Sequence, residues 1–505
     1  MTRVVRLRTL LPRLAGPAAV GLLAGAAIAF LEVVFRVVAG IPLPAELGAD
    51  RVLPMIPVNA FLNLLGRMGG PIAAKEQAFW GGFAGIIGAT VAASVIWELL
   101  RHRKRGGRLA LGALAVIGVS TIAGLGPVLA SNYAGAPIGD AILISAGGLL
   151  VAAVLAAVFI RALETPGKGV NSGRRNLLLG GAGLALTAAT GVIGGGLFRD
   201  GTFGYDGTRL LAGTGRKPIT PVADFYTVTK NLVDPNVDPA VWRLEVTGAV
   251  REPFTLTLAE LRTMPGQVQE TTLECISNGV AYGLLSNGLW GGVPLSDMLA
   301  RAMPTASAKG VVLQGVDGYR YSLSLDRALS GQVVVAHSMN GEPLIRRHGA
   351  PARAVVPGAY GEASAKWLTQ VRVTDQDEPG YYAEQGWRSE FVHTTSVIDI
   401  PSRGQVLLAG VAAALKGVAF AGDRGISRVE ISPDGGQSWL PARIDYSQSP
   451  LAWALWSADW TPSRSGAATL SVRAYDGAGK VQEALAHGFV PSGSTGTHSV
   501  EVRVV

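Results

Sequence analysis

The chain predicts a membrane-embedded α-helical bundle, then an α+β domain, then an all-β sandwich. Three observations lead there. The first 200 residues are rich in Gly, Ala, Leu and Val and hold several runs long enough to cross a bilayer. From Gly201 the polarity becomes that of a water-soluble protein, with short strands and helices in alternation. After about Asp399 helical periodicity ends and short strands with turns between them remain. A length of 505 residues accommodates about three domains. Composition places a transmembrane region at 1–170, an anchor helix at 171–200, a mixed domain at 201–399 and the sandwich at 400–505.

The charge divides in the same way. Of the net +8, the first 200 residues carry +10 and the rest −2. The high isoelectric point therefore reports arginines flanking membrane helices. No basic stripe with interleaved aromatics marks the soluble part, which sets nucleic acid aside as a partner.

Five runs read as spans: 17–35, 79–100, 109–130, 141–160 and 177–197. A sixth, 52–65, is short and holds Pro54 and Pro57, so it reads as an interfacial or re-entrant piece. Basic residues gather before the first span, after the second (Arg101, Arg103, Lys104, Arg105) and between the fourth and fifth (Arg161, Lys168, Arg174, Arg175). The positive-inside rule puts all three groups in the cytoplasm, with the N-terminus inside and everything after Phe198 outside. Glu32 and Arg36, one turn apart, read either as functional intramembrane charge or as an intrahelical pair or snorkelling arginine. His102 is the single histidine of the first 200 residues. Haem held by paired axial histidines is therefore not expected in this chain, and a membrane electron carrier would be another subunit.

In the soluble part, Trp242 to Gly248 alternates as a half-buried strand does. Thr257 is a candidate N-cap for a short helix ending before Pro265, and a second helix begins near Pro294 or Ser296. Strands are expected at 310–314 and 333–336, and in the sandwich at 417–420, 426–431, 442–444, 452–458, 468–474 and 500–505, with Asp434-Gly-Gly as a hairpin turn. Trp439, Trp453, Trp456 and Trp460 are expected in the core or at an interface.

Cys275 is the only cysteine, so no disulfide forms within the chain. A lone thiol is either a small buried hydrophobe or a reactive, metal-ligating group. This one ends a strand-like stretch and meets Ser277-Asn278-Gly279, which is turn chemistry and favours a holding role.

A series of motifs then accumulates: Asp224-Phe-Tyr, Leu273-Glu-Cys-Ile-Ser-Asn, Trp290-Gly-Gly-Val-Pro-Leu, Met339-Asn-Gly-Glu-Pro-Leu, His348-Gly-Ala-Pro-Ala-Arg, Val356-Pro-Gly-Ala-Tyr-Gly, Ser364-Ala-Lys-Trp, Arg428-Val-Glu-Ile-Ser and Asp434-Gly-Gly-Gln-Ser-Trp. In this order they resemble the sulfite oxidase family, whose members join a molybdopterin-binding α+β domain to an immunoglobulin-like domain. The resemblance runs from about 224 to 505, and with the apolar helices it is to a membrane-anchored bacterial member. It implies that Cys275 is the thiolate ligand of one molybdenum–molybdopterin per chain. It also implies a cofactor cradle of Tyr226, Thr227, Asn278, His348, Arg353, Ser364 and Lys366. Taken singly, Arg353 also reads as a strand-end ion pair and Lys366 as a solvated loop charge.

The departures bear on substrate. Sulfite-oxidising members place arginine where this chain has Gly279, and a tyrosine where His337 stands. Their C-terminal Trp-Asn-Leu-Arg is replaced by Gly488-Phe-Val-Pro-Ser-Gly. Lys230 is one candidate replacement cation. The anion pocket is thinned, and His337 becomes the candidate proton-transfer group, a structural histidine being the alternative. Arg174-Arg175-Asn-Leu-Leu-Leu also resembles a twin-arginine export signal set inside the chain, suited to a domain that crosses the membrane folded around its cofactor; the alternative is flanking charge. The expected activity is oxygen-atom transfer on a small molecule outside the cytoplasm, by an enzyme in contact with membrane lipid and a separate electron-transfer partner. The alternatives are S-oxide reduction, as in methionine-sulfoxide reductases, and a cofactor-free binding module that kept the fold.

Overall fold

The computed structural model describes residues 2–40, 42–43, 45–46, 49, 53–101, 172–204, 207, 215–388 and 391–505. The expected spans at 109–130 and 141–160 lie outside the described residues. Among the described residues the first part holds the helices α1 (Thr2–Ala39), α2 (Val58–Arg67), α3 (Pro71–Arg101) and α4 (Ser172–Gly201). The chain divides into two units, one of Met1–Leu53, Leu65–Thr202 and Lys230–Asn236, the other of Pro54–Leu64, Phe203–Thr229 and Val237–Val505.

In the first unit α1 packs against both α3 and α4. Small residues make this possible: a Cβ on Gly21 would lie 2.5 Å from the Val91 Cα, and one on Gly25 would lie 2.7 Å from the Ile87 Cα. Among the described residues three helices are long and apolar enough to cross a membrane, Leu14–Val38, Pro71–Ile96 and Gly173–Gly201. Arg36 does not pair with Glu32. It makes a buried bidentate bridge to Glu46, Nε–Oε2 2.9 Å and Nη2–Oε1 3.0 Å, and donates to the Val233 and Asp234 carbonyls. The sequence offered Glu32 as the partner one turn away; Glu46, ten residues further on, is the better-placed carboxylate.

The run at 52–65 becomes a 3-10 turn and then α2, whose ten residues extend about 15 Å, too short for a bilayer core of about 30 Å. Within the second unit Val58 is buried in one apolar cluster with Ile276, Tyr360 and Trp387, and its N–H donates to the Gln385 carbonyl at 3.2 Å.

The rest of the second unit has two layered parts. The first contains β1 (Arg243–Gly248), β2 (Phe254–Thr257), α5 (Leu258–Thr263), β3 (Gln267–Glu274), β4 (Leu285–Pro294), α6 (Leu295–Ala302), β5 (Gly310–Gly315), β6 (Arg320–Ser324), α7 (Leu325–Leu329), β7 (Val334–Met339), β8 (Glu342–Pro343), β9 (Arg353–Val355), β10 (Leu368–Thr374) and α8 (Tyr381–Glu384). One sheet runs β2-β1-β10-β5-β6, with β1 and β10 parallel; the other runs β3-β4-β7-β8, with β9 on β7. Thr257 caps α5 in a reciprocal box with Glu260. The core between the sheets holds Leu244, Val246, Leu261, Leu295, Met298, Leu313 and Val335, all at most 1% exposed.

The second part contains β11 (Thr395–Ile400), β12 (Val406–Leu407), β13 (Ala413–Phe420), β14 (Ile426–Ser432), β15 (Leu440–Pro441), β16 (Arg443–Tyr446), β17 (Ala454–Trp460), β18 (Gly466–Asp476) and β19 (His498–Val504). Its sheets, β11-β13-β17-β16 and β12-β19-β18-β14-β15, enclose Leu415, Val429, Trp456, Leu470 and Val472. Trp453 and Trp456 are buried, whereas Trp439 lies half-buried under the Arg473 guanidinium, 4.1 Å from its ring centroid, outside the core. The segment before β1 locks the two parts together. Arg216 bridges Asp399 at 3.1 Å, both side chains 3% exposed, and the Pro218 carbonyl accepts from Asn287 Nδ2 and Trp453 Nε1.

Candidate functional site

The site is built on the β3–β4 hairpin. Its strands pair in register down to Glu274 opposite Leu285, and the Cys275 N–H donates to the Leu284 carbonyl at 3.0 Å. Residues 275–284 are therefore a closed loop at the hairpin tip. Asn278 ties it: its N–H reaches the Cys275 carbonyl at 2.9 Å, its Nδ2 donates to Glu274 Oε1 at 2.8 Å, and its Oδ1 accepts from Leu284 N at 3.0 Å. Cys275 is 9% exposed, with its sulfur 3.1 Å from Ser277 Oγ. Burial pushes the thiol up to about 11, so the metal-free chain holds the proton and a ligating metal must displace it. Burial likewise pushes Glu274 up to about 7; its second oxygen is buried without a hydrogen-bond partner.

The segment before β1 supplies the next wall. Tyr226 shares an apolar cluster with Cys275, Phe225 and Trp290, and its N–H donates to Ser286 Oγ at 3.1 Å. The buried Thr227 hydroxyl accepts from Arg347 Nε at 2.9 Å.

The third wall is the turn Arg346–His348 and the strand after it. Gly349 has φ +98°, and a Cβ there would lie 2.9 Å from the Lys366 Cβ and 3.2 Å from the Arg353 Cβ, so glycine lets the turn close on two cations. His348 Nε2 lies 2.9 Å from the Val222 carbonyl. Burial, reinforced by Lys366, Arg353 and Arg347, pushes its pKa down to about 3. The ring is thus neutral at ordinary pH, and because a carbonyl only accepts, the proton sits on Nε2 and Nδ1 keeps its lone pair. Lys366 Nζ donates to the Val228 and Arg347 carbonyls, and Ser364 Oγ accepts from Val356 N.

Arg353 is the telling group. It is 3% exposed, lies 5.0 Å over the Trp290 ring, and donates to the carbonyls of Ala354, His348 and Ser364. No carboxylate among the described residues bridges it, and burial pushes its pKa down to about 10. A buried charge left without an opposite one costs several kcal/mol, about what folding can ill spare. The site therefore fits an anionic group carrying phosphate and a soft metal: a thiol, a buried guanidinium, a lysine and a neutral imidazole face one region.

The structure brings together Cys275, Tyr226, Thr227, His348, Arg353, Ser364 and Lys366. Asn278 is beside them, with its side chain engaged in closing the loop. His337 is not in the group. It sits at the bulge where β7 meets Gly291 and Gly292, half-buried, and the charge it senses is Arg262 of α5. Lys230 belongs to the other unit. Glu274 and Arg347 were not singled out from sequence, although both adjoin residues that were. Tyr282 gave no signal: its ring covers Gly279, where a Cβ would lie 2.5 Å from Cε2.

Residues 231–382 match the oxidoreductase molybdopterin binding domain, and residues 389–489 match the Mo-co oxidoreductase dimerisation domain. A nitrate reductase [NADH] of Hordeum vulgare is 30% identical over 51% of this chain and 35% of its own length. The mitochondrial sulfite oxidase of Homo sapiens is 32% identical over 47% of this chain and 52% of its own length. The sulfite oxidase of Gallus gallus is 31% identical over 47% of this chain and 62% of its own. The chain thus spans between a third and two thirds of these relatives. The sulfane dehydrogenase SoxCD from Paracoccus pantotrophus has the same fold over 57% of this chain and 82% of its own, with TM-score 0.51 and 24% identity.

Proposed function

The chain belongs to the sulfite oxidase family, and from that premise we propose that it is a membrane-anchored molybdopterin-dependent oxidoreductase acting outside the cytoplasm on a small neutral substrate. The observation that carries the reading is the buried, carboxylate-free Arg353 in one cluster with Cys275, Tyr226, His348 and Lys366. When bound, the cofactor supplies two-electron redox chemistry at molybdenum. In this proposal Cys275 would ligate the metal, Arg353 and Lys366 would hold the phosphate-bearing end, the Ser364 carbonyl fixes Arg353 and the Thr227 hydroxyl fixes Arg347 beside them, and neutral His348 would offer a hydrogen-bond acceptor to the pterin. Tyr226 closes the pocket beside the thiolate.

A neutral substrate is favoured over sulfite because Gly279 stands where the family's sulfite-oxidising members carry arginine and the Tyr282 ring fills that space. Reduction of an S-oxide or N-oxide is the direction this favours. Five spans with the basic segments inside, domains at 1–170, 171–200, 201–399 and 400–505, and export through Arg174-Arg175 complete the proposal. The three described apolar helices are consistent with it.

The test is molybdenum analysis of full-length protein purified in detergent after growth with molybdate. Wild type carries one molybdenum per chain; Cys275→Ser remains folded and loses turnover with any substrate. Metal-free wild type, or a fully active Cys275→Ser, overturns the reading.

A further inference from the structure

The metal loop is gripped from outside its own domain. In the β-sandwich, 216 residues further along the chain, Ser494 donates its hydroxyl to the Asn278 carbonyl. Asn278 is the residue whose amide closes the 275–284 loop on Glu274 and Leu284. The turn that presents Ser494 is itself fixed. The Gly493 N–H donates to the Phe489 carbonyl at 2.8 Å, and the Arg388 N–H donates to the Pro491 carbonyl at 2.9 Å. The Phe489 ring stacks on Trp387 at 6.3 Å and 14°. Phe489 and Val490 pack onto the cluster that contains Ile276, the residue after Cys275. Gly493 has φ +94° and meets Tyr360 so closely that a Cβ would lie 2.0 Å from its hydroxyl.

We propose that this turn of the sandwich, residues 489–495, sets the position of the Cys275 thiolate, with Ser494 as the positioning residue acting through Asn278. The proposal rests on Cys275 being the metal ligand. Physically, a loop tied only within its own hairpin can tilt about the two strand ends. A hydroxyl donated to a carbonyl within it from a turn fixed by its own hydrogen bonds and packing removes that freedom, and a thiolate held at one angle presents one geometry to the metal.

The experiment uses full-length wild type, Ser494→Ala, Ser494→Thr and Gly493→Ala, with molybdenum content, the Mo(V) EPR spectrum, kcat and KM measured on each. Ser494→Ala is expected to keep its molybdenum, to shift or broaden the Mo(V) signal, and to lose about two- to tenfold in kcat with KM unchanged, the scale of one net hydrogen bond. Ser494→Thr restores the signal, and Gly493→Ala reproduces the shift. Wild-type spectra and kcat in both Ser494→Ala and Gly493→Ala overturn the positioning role. A Mo(V) signal in Cys275→Ser identical to that of wild type instead overturns the ligand assignment beneath it, so the two failures are read from different proteins.

Discussion

Restoring a cation at position 279 tests the substrate reading directly. Gly279 lies four residues after Cys275, and a side chain there would start 2.5 Å from a ring carbon of Tyr282. That ring is 69% exposed and can swing into water at little cost, so the overlap is relieved by moving one side chain and no backbone. Gly279→Arg alone leaves the guanidinium and the phenol competing for one space; the double variant Gly279→Arg/Tyr282→Ala clears it. A charge-assisted hydrogen bond to an anion contributes about 1.5–3 kcal/mol, and each 1.4 kcal/mol is roughly tenfold. Gly279 is itself buried, but Ala281 and Tyr282 beside it are exposed, so salt screening holds the gain to the lower end. The double variant should therefore raise kcat/KM for sulfite about tenfold, mostly through KM, and the gain should shrink as ionic strength rises. Sulfite-dependent ferricyanide reduction measures it, beside dye-driven reduction of a neutral S-oxide, which should not improve. A double variant with full molybdenum content and unchanged sulfite kcat/KM would refute the claim that Gly279 and Tyr282 set the preference. Efficient sulfite oxidation by wild type would refute it too.

Two further outcomes follow from particular contacts. Arg216→Met leaves Asp399 buried without its partner, a loss of about 3–5 kcal/mol; at about 2–4 °C per kcal/mol for a unit of this size the melting temperature should fall by several degrees or more, and Arg216→Met/Asp399→Leu should recover most of it. Burial raises the Asp399 pKa even beside Arg216, so its destabilising contribution is absent at acid pH and grows as pH rises through the carboxylate range. The Arg216→Met deficit should accordingly be smallest in acid, and a pH-independent deficit in thermal scans would contradict this. Replacing Arg174 and Arg175 by lysine should leave the preceding helices inserted and the catalytic unit, folded, inside; protease protection of that unit reports it, and an external, molybdenum-loaded unit would show that the pair is flanking charge only.

The hydrophobic pattern by itself determined the class. Twenty-residue apolar runs, alternating strands and the loss of helical period after Asp399 are local properties, set by what each segment can bury, and they are legible one segment at a time. The motif series likewise marked most of the cluster, because Cys275, His348, Arg353, Ser364 and Lys366 sit at turns whose glycines and prolines are visible in sequence. What the sequence could not show is which distant groups meet. Arg36 was one helical turn from Glu32, yet Glu46 takes it, because a residue ten positions on can meet the guanidinium in a bidentate geometry. His337 stood near the right motifs, but a bulge in the β4–β7 pairing and the charge of Arg262 give it other surroundings. Trp439 carried the same apolar surface as Trp453 and ended under an arginine instead of in a core. Ser494 had no sequence signal at all, because its role depends on a carbonyl 216 residues away. Local periodicity decides what a segment becomes; only packing decides which polar atoms, each costly to bury alone, are carried to one another.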